Sequence, residues 1–252
     1  MKRLFQIFGG GLGWSLGGPI GALMGVAFGN MMHDLVHGEQ ADPVAGRQSN
    51  RPNSTVGSPS DFHIALLVLA ARVIKADGKV EQSELDFVRQ QFVGMFGKDR
   101  ANESFKVFRQ IVDQPIPLTK VCNQINSFTT HATRLQLVHF LFKLGLADGH
   151  LHAEELEEIR RISRNLRINP YDFASIEAMF NKEQNSGWAF KVLEVTENAT
   201  EAEVKKAYRK MAMKFHPDRL TDAGPEAQAA AKESFLNVQK AYEQICNQKG
   251  WK

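Results

Sequence analysis

The spacing of apolar and polar positions divides the chain into three stretches. Leu4 to Met32 is a run of 29 residues without Asp, Glu, Lys, Arg or His. About 20 such residues cross a bilayer as a helix. Glu39 to Ser60, "EQADPVAGRQSNRPNSTVGSPS", is polar, holds three prolines and has no apolar period. It reads as a flexible linker. From Asp61 onward apolar residues recur at helical spacing. The pattern predicts an all-α chain: residues 1–35 a membrane segment, 36–60 a linker, 61–182 a helical domain and 187–252 a second, smaller one.

The middle stretch contains an internal repeat. "KADGKVEQSEL" (Lys75 to Leu85) and "LADGHLHAEEL" (Leu146 to Leu156) match at a spacing of 71 residues. Each follows an apolar run, Ile64 to Ile74 and Leu135 to Leu146. Each leads into another, with Leu85, Val88 and Phe92 in the first copy and Leu156, Ile159 and Ile162 in the second. These spacings give one buried helical face, and Asp-Gly supplies the break between helices. The unit is helix, acidic turn, helix, used twice.

The acids of those turns raise the question of a metal. Asp77, Glu81 and Glu84, with Asp148, Glu154 and Glu155, could take a divalent cation; Asp77, Glu84, Asp148 and Glu155 are the candidates. The spacing is not that of an EF-hand, because glycine follows the first Asp directly and no Glu stands at the twelfth position. The simpler role is punctuation: Asp77 and Asp148 end helices, and the glutamates suit the N-terminal dipole of the next helix. His150 and His152 read as exposed turn residues.

The last seventy residues carry two amphipathic stripes around "KFHPDRL" (Lys214 to Leu220). Thr200 and Glu203 form a T-x-x-E capping box. Val204, Tyr208, Met211 and Phe215 then fall within about 60° of one another at 100° per residue, one narrow stripe. Lys205, Lys206, Arg209, Lys210 and Lys214 lie on the other side, with no acid from Val204 to Phe215. Such a face suits an acidic partner. The helix ends near Phe215, because a residue before proline is pushed out of the α region. His216-Pro217-Asp218 therefore begins a loop. Pro225 opens the next helix, whose stripe is Phe235, Val238, Tyr242 and Ile245, and the two helices are expected to pack antiparallel with the loop at their tip. His216 and Asp218 are no catalytic pair: a triad needs a nucleophile and an oxyanion site, and no Ser or Cys lies nearby in sequence. One His and one Asp are also too few for a metal site.

Glycine changes the picture of the N-terminal segment. Nine of the 20 glycines lie between Gly9 and Gly29, and Gly9, Gly13, Gly17, Gly21, Gly25 and Gly29 recur every four residues. In water each helical glycine costs roughly 1 kcal/mol against alanine. In lipid the same register lets two backbones approach closely. Membrane insertion with self-association, as a homodimer, is the reading; a flexible glycine-rich tail is the alternative. Lys2 and Arg3 place the N-terminus in the cytoplasm by the positive-inside rule. A single span would export the downstream domains, whereas a re-entrant turn near Gly17-Gly18-Pro19 would keep both ends inside. Both topologies stay open.

Bulk composition narrows the rest. The 252 residues are 43% apolar and 23% charged, ordinary for a globular protein. A net charge of +3 gives no argument for nucleic acid. Two cysteines, Cys122 and Cys246, without a CxxC, leave no cysteine zinc site and no disulfide framework.

Two resemblances emerge from these motifs. The duplicated ADG-x-apolar-x-x-x-E-L unit resembles the TerB-like domain, an all-helical fold found in tellurite-resistance proteins. "FKVLEVTENATEAEVKKAYRKMAMKFHPDRL" and "FLNVQKAYEQI" resemble the J-domain of DnaJ-type (Hsp40) co-chaperones. That second likeness implies an Hsp70 of the DnaK class as partner. Its ATPase would be stimulated by His216, Pro217 and Asp218, docked through Lys205, Lys206, Arg209, Lys210 and Lys214. Phe190 stands where the family usually has tyrosine and Glu194 where it usually has glycine, both away from the loop. There is no zinc region and no Gly/Phe-rich linker. The three-part layout resembles the DjlA type of membrane-anchored co-chaperone. The resemblance implies a non-enzymatic protein without cofactor, on the inner membrane, with both helical domains facing the cytoplasm and a part in envelope stress signalling. A metal-responsive TerB-like scaffold with an accessory J-domain is the alternative.

Overall fold

The computed structural model describes residues 18–25, 59–76, 78, 80, 82–182, 187–223 and 225–251. Every regular element among them is helical. In chain order these are α1 (residues 18–25), α2 (Pro59–Ile74), α3 (Gln82–Phe96), α4 (Lys98–Val112), α5 (Leu118–Phe128), α6 (His131–Gly145), α7 (Ala153–Asn165), α8 (Pro170–Phe180), α9 (Trp188–Val192), α10 (Glu201–Lys214), a 3-10 segment (Pro217–Ala223) and α11 (Pro225–Lys249).

The repeat read from the sequence is the frame of the larger domain. Its two copies are α2–α3 and α6–α7, and each turn uses a glycine in the left-handed region, Gly78 at φ 82° and Gly149 at φ 94°. The first helix of each copy is buried on more than one face. Ala65 to Ala71 of α2 are all buried, and so are Leu135 to Phe142 of α6. Helices apolar on all sides belong at the centre of a bundle, and α6 packs against α2, α7, α8 and α11. The second helix of each copy shows the narrower stripe that its spacing predicts: Val88 and Phe92 in α3, Ile159 and Ile162 in α7 are fully buried.

The smaller domain is a hairpin of α10 and α11 closed by α9. Val204, Met211 and Phe215 meet Val238, Ala241 and Ile245 in its core, and Tyr208 stacks on Tyr242 with ring centroids 4.5 Å apart. This hairpin lies directly on the bundle, with α11 against α6 and α9 against α8. Lys143 donates to Glu233 at 2.8 Å, the Ser234 hydroxyl and Gln136 bond at 3.1 Å, and Lys182 donates to Asn237 at 2.6 Å. Behind this seam His139 is fully buried, its ring 4.8 Å from that of Phe180, and neither ring nitrogen meets a hydrogen-bonding group among the described residues.

Of the predicted membrane segment, only residues 18–25 are described; Gly9, Gly13, Gly17 and Gly29 lie outside them, while Gly21 and Gly25 are in α1. Ile20 and Leu23 are buried, and the Ile20 N–H donates to the Gln124 side chain of α5 at 2.9 Å. Gly18 takes φ 62°, in the Gly17-Gly18-Pro19 stretch where the re-entrant alternative would turn. Among the described residues no helix is long and apolar enough to cross a membrane.

Candidate functional site

The site is built where α10 ends. Its start is fixed by the predicted box: the Thr200 N–H donates to Glu203 at 2.8 Å and the Glu203 N–H to the Thr200 hydroxyl at 3.4 Å. Its end is fixed by Pro217, with Phe215 as the last capping residue. The next residues differ from expectation. Pro217–Ala223 winds into 3-10 turns with a kink at Leu220, which is buried, instead of running as an open loop. The Leu220 anchor holds the turn against the hairpin while Asp218 stays 85% exposed. The His216 ring packs edge-on against Phe235 of α11, centroids 5.5 Å apart, and its Nδ1 accepts from the Asp218 N–H at 3.2 Å. In the neutral ring the proton is therefore on Nε2. His216 and Asp218 thus stand on a solvent-facing corner, the first against Phe235 and the second 85% exposed.

The five bases expected on one face do not share one environment. Lys205, Lys206 and Arg209 are exposed and form no ion pair among the described residues. Lys210 is 63% exposed and donates to Glu194 Oε2 at 2.7 Å. Lys214 is only 17% exposed: it donates to Glu194 Oε1 at 2.8 Å and to Asp172 Oδ1 of α8. Lys214 is thus turned into the seam between domains, not presented with the others.

Sequence position alone places Glu194 away from the site, and the structure corrects this. It follows Leu193, the C-cap of α9, at φ 58°, in a Schellman cap: its N–H donates to Lys191 O and the Val195 N–H to Phe190 O. Glycine is the usual residue there because a side chain in that backbone region costs ~1–2 kcal/mol. The carboxylate offsets this by bridging Lys210 and Lys214.

Asp172 has no counterpart in the motif reading. It sits in the first turn of α8, almost fully buried, where its N–H bonds the Asn169 N-cap at 2.9 Å and Oδ2 faces His131 at 3.0 Å. Burial pushes its carboxyl up, but hydrogen bonds from His131 and Lys214 and the Lys214 charge hold it well below the usual carboxylate range. Lys214 is raised despite burial, through its bonds to Asp172 and Glu194. The two ends of this network differ in strength. Breaking a buried pair such as Asp172–Lys214 costs ~3–5 kcal/mol, whereas at Lys210 the ammonium is 63% exposed and only the Glu194 carboxylate, 11% exposed, is enclosed, so water screens that pair more.

The remaining candidates lie in the larger domain. Asp77 and Glu81 fall outside the described residues. Asp148 accepts from the His150 N–H at 2.9 Å, a turn-closing bond, and Glu155 accepts from the His152 N–H at 3.0 Å in a capping box. Burial raises the Glu155 carboxyl, and its side chain hydrogen-bonds Glu84, the residue in the matching place of the other repeat. No group of three or more His, Cys, Asp or Glu side chains suited to a metal occurs among the described residues. A cleft of about 420 Å³ is lined by residues including Arg72, Lys75, Asp113 and Glu158, with no Ser, Cys or His among the described residues of its wall. Both cysteines are free, and burial followed by the Glu158 charge pushes the Cys122 thiol up to about 12.

Comparison with known proteins agrees with this layout. The profile of tellurite resistance protein TerB matches residues 63–178, and that of the DnaJ domain matches residues 189–250. Proteins named Co-chaperone protein DjlA are similar along nearly the whole chain. That of Coxiella burnetii is 27% identical, covering 97% of each chain. That of Photobacterium profundum is 27% identical over 98% of this chain and 99% of its own. One from Vibrio cholerae is 28% identical over 76% and 79%. No solved structure matches the chain at a significant level.

Proposed function

On the premise that this chain, a TerB domain followed by a DnaJ domain, belongs to the DjlA type, we propose that it is a co-chaperone of DnaK. It stimulates ATP hydrolysis on that partner and performs no chemistry of its own. The observation that carries this reading is the corner after α10, where Asp218 projects and His216 is braced on Phe235 beside three exposed bases without an ion pair among the described residues. The bases would steer and dock an acidic surface. The braced His-Pro-Asp would make the contact that triggers hydrolysis. Both are fixed by helices, so little ordering is needed on binding.

The 29 uncharged residues from Leu4 to Met32 support a membrane segment, and the resemblance to the DjlA type adds the inner membrane with both domains on the cytoplasmic side, which the re-entrant topology would satisfy. Tethering raises the local concentration of the partner's activator near membrane clients. The four-residue glycine register suits self-association in lipid. A part in envelope stress signalling follows from the resemblance to the DjlA type.

The test is the ATP hydrolysis of DnaK titrated with the full chain. Replacing Lys205, Lys206 and Arg209 together with alanine is expected to raise the half-maximal concentration about tenfold or more, while circular dichroism and melting stay unchanged. A triple variant as active as the parent would remove the basic face from the mechanism.

A further inference from the structure

We propose that Glu194 and Asp172 partition the basic face of α10, and so determine which part of it an acidic partner surface can use. The inference rests on the co-chaperone reading and refines its docking surface. Lys205, Lys206 and Arg209 are open. Lys214 is withdrawn: its ammonium is held by the buried Asp172 of the larger domain and by Glu194. Lys210 lies between these cases. It is well exposed, yet its ammonium is occupied by Glu194 at 2.7 Å.

A partner carboxylate that reaches Lys210 must draw it away from Glu194, whose own charge repels the partner. The Lys210 ammonium is 63% exposed and can turn to a partner while the 11%-exposed Glu194 carboxylate stays in place with Lys214, whereas both ends of the Lys214–Asp172 pair are enclosed and stay closed. The partner is therefore met first by Lys205, Lys206 and Arg209, and engages Lys210 only by opening the Glu194 contact. Glu194 is a specificity-setting residue in this scheme, because a partner without acids matched to the first three bases gains nothing at the fourth. Asp172 is a positioning residue: it keeps Lys214 from replacing Lys210 as a docking group.

The experiment is a titration of DnaK's single-turnover ATP hydrolysis with the full chain, reading the half-maximal concentration and the maximal rate separately. Glu194→Gln is expected to lower the half-maximal concentration about two- to fivefold, the yield of one surface lysine freed to meet a partner carboxylate, with the maximal rate unchanged. The gain should shrink as salt is raised, since exposed charges are screened. Adding Lys210→Met to Glu194→Gln should erase it, a result that a purely structural role for Glu194 would not give. Glu243→Gln, an exposed acid on α11, controls for net charge and should change nothing. If Glu194→Gln folds poorly, Glu194→Gly suits the left-handed backbone and carries the same expectation. Parental stimulation with no gain in the variant, or an equal gain in Glu243→Gln, overturns the partition alone. Absence of stimulation by the parent overturns the co-chaperone reading, and this inference with it.

Discussion

At the scale of single residues, buried polar groups decide where the two domains can meet. His139 lies on the central helix, and burial lowers its pKa to about 4, with Glu233 acting against that fall and Lys143 and Lys182 with it. The ring is therefore neutral in the folded protein near pH 7. In the unfolded chain it titrates near 6.5. Between about pH 6.5 and 4 the unfolded state binds the extra proton, so stability falls as pH falls through that window, by up to ~3 kcal/mol. Asp172 acts in the same direction lower down, its depressed carboxyl losing its contribution as pH drops below the ordinary carboxylate value. Thermal melting of His139→Phe, which preserves the aromatic contact to Phe180, should show a flatter loss between pH 7 and 5 than the parent. Parallel curves would mean that another group carries the acid sensitivity.

At the scale of elements, legibility in the sequence depended on whether the signal was local. The capping box of α10, its stop before Pro217 and its apolar stripe are set by neighbours within one or two turns, and all three were legible. The repeat was legible because two copies of one turn announce each other. Two things were not. A five-base face looks uniform along one helix, and nothing local reveals that Asp172, 42 residues from Lys214, withdraws one base from it. The 3-10 winding after His216 depends on a socket for Leu220, which is tertiary. Glu194 was a partial case: its departure from glycine was visible, but its reach to Lys210 needs the fold. The local part has its own check. Thr200→Ala removes the hydroxyl that accepts from the Glu203 N–H and should lower the melting temperature by roughly 2–4 °C. It should leave the maximal stimulated rate of the partner intact. A loss of that rate without a change in melting would assign Thr200 to the docking surface instead.

At the scale of the whole molecule, the hairpin is seated on the bundle. Hydrogen bonds at Ser234, Lys143 and Lys182, the buried bond from Ser175 to Val192 O, and the Asp172–Lys214 pair join the two along one seam. The TerB domain thereby sets the orientation of the His-Pro-Asp corner and the supply of free bases beside it. The all-helical character and the two-domain order were legible from periodicity and repeat. The seam was not, because it is written in side chains that each domain alone would expose.

The account's central claim is that the corner after α10 activates an Hsp70 partner. The most direct measurement is the single-turnover ATP hydrolysis rate of DnaK at low salt, with the full chain and with its His216→Gln variant at equal concentration. The claim predicts a several-fold acceleration by the parent that is lost in the variant, with the variant's melting temperature unchanged. No acceleration by the parent, or equal acceleration by both, would contradict it.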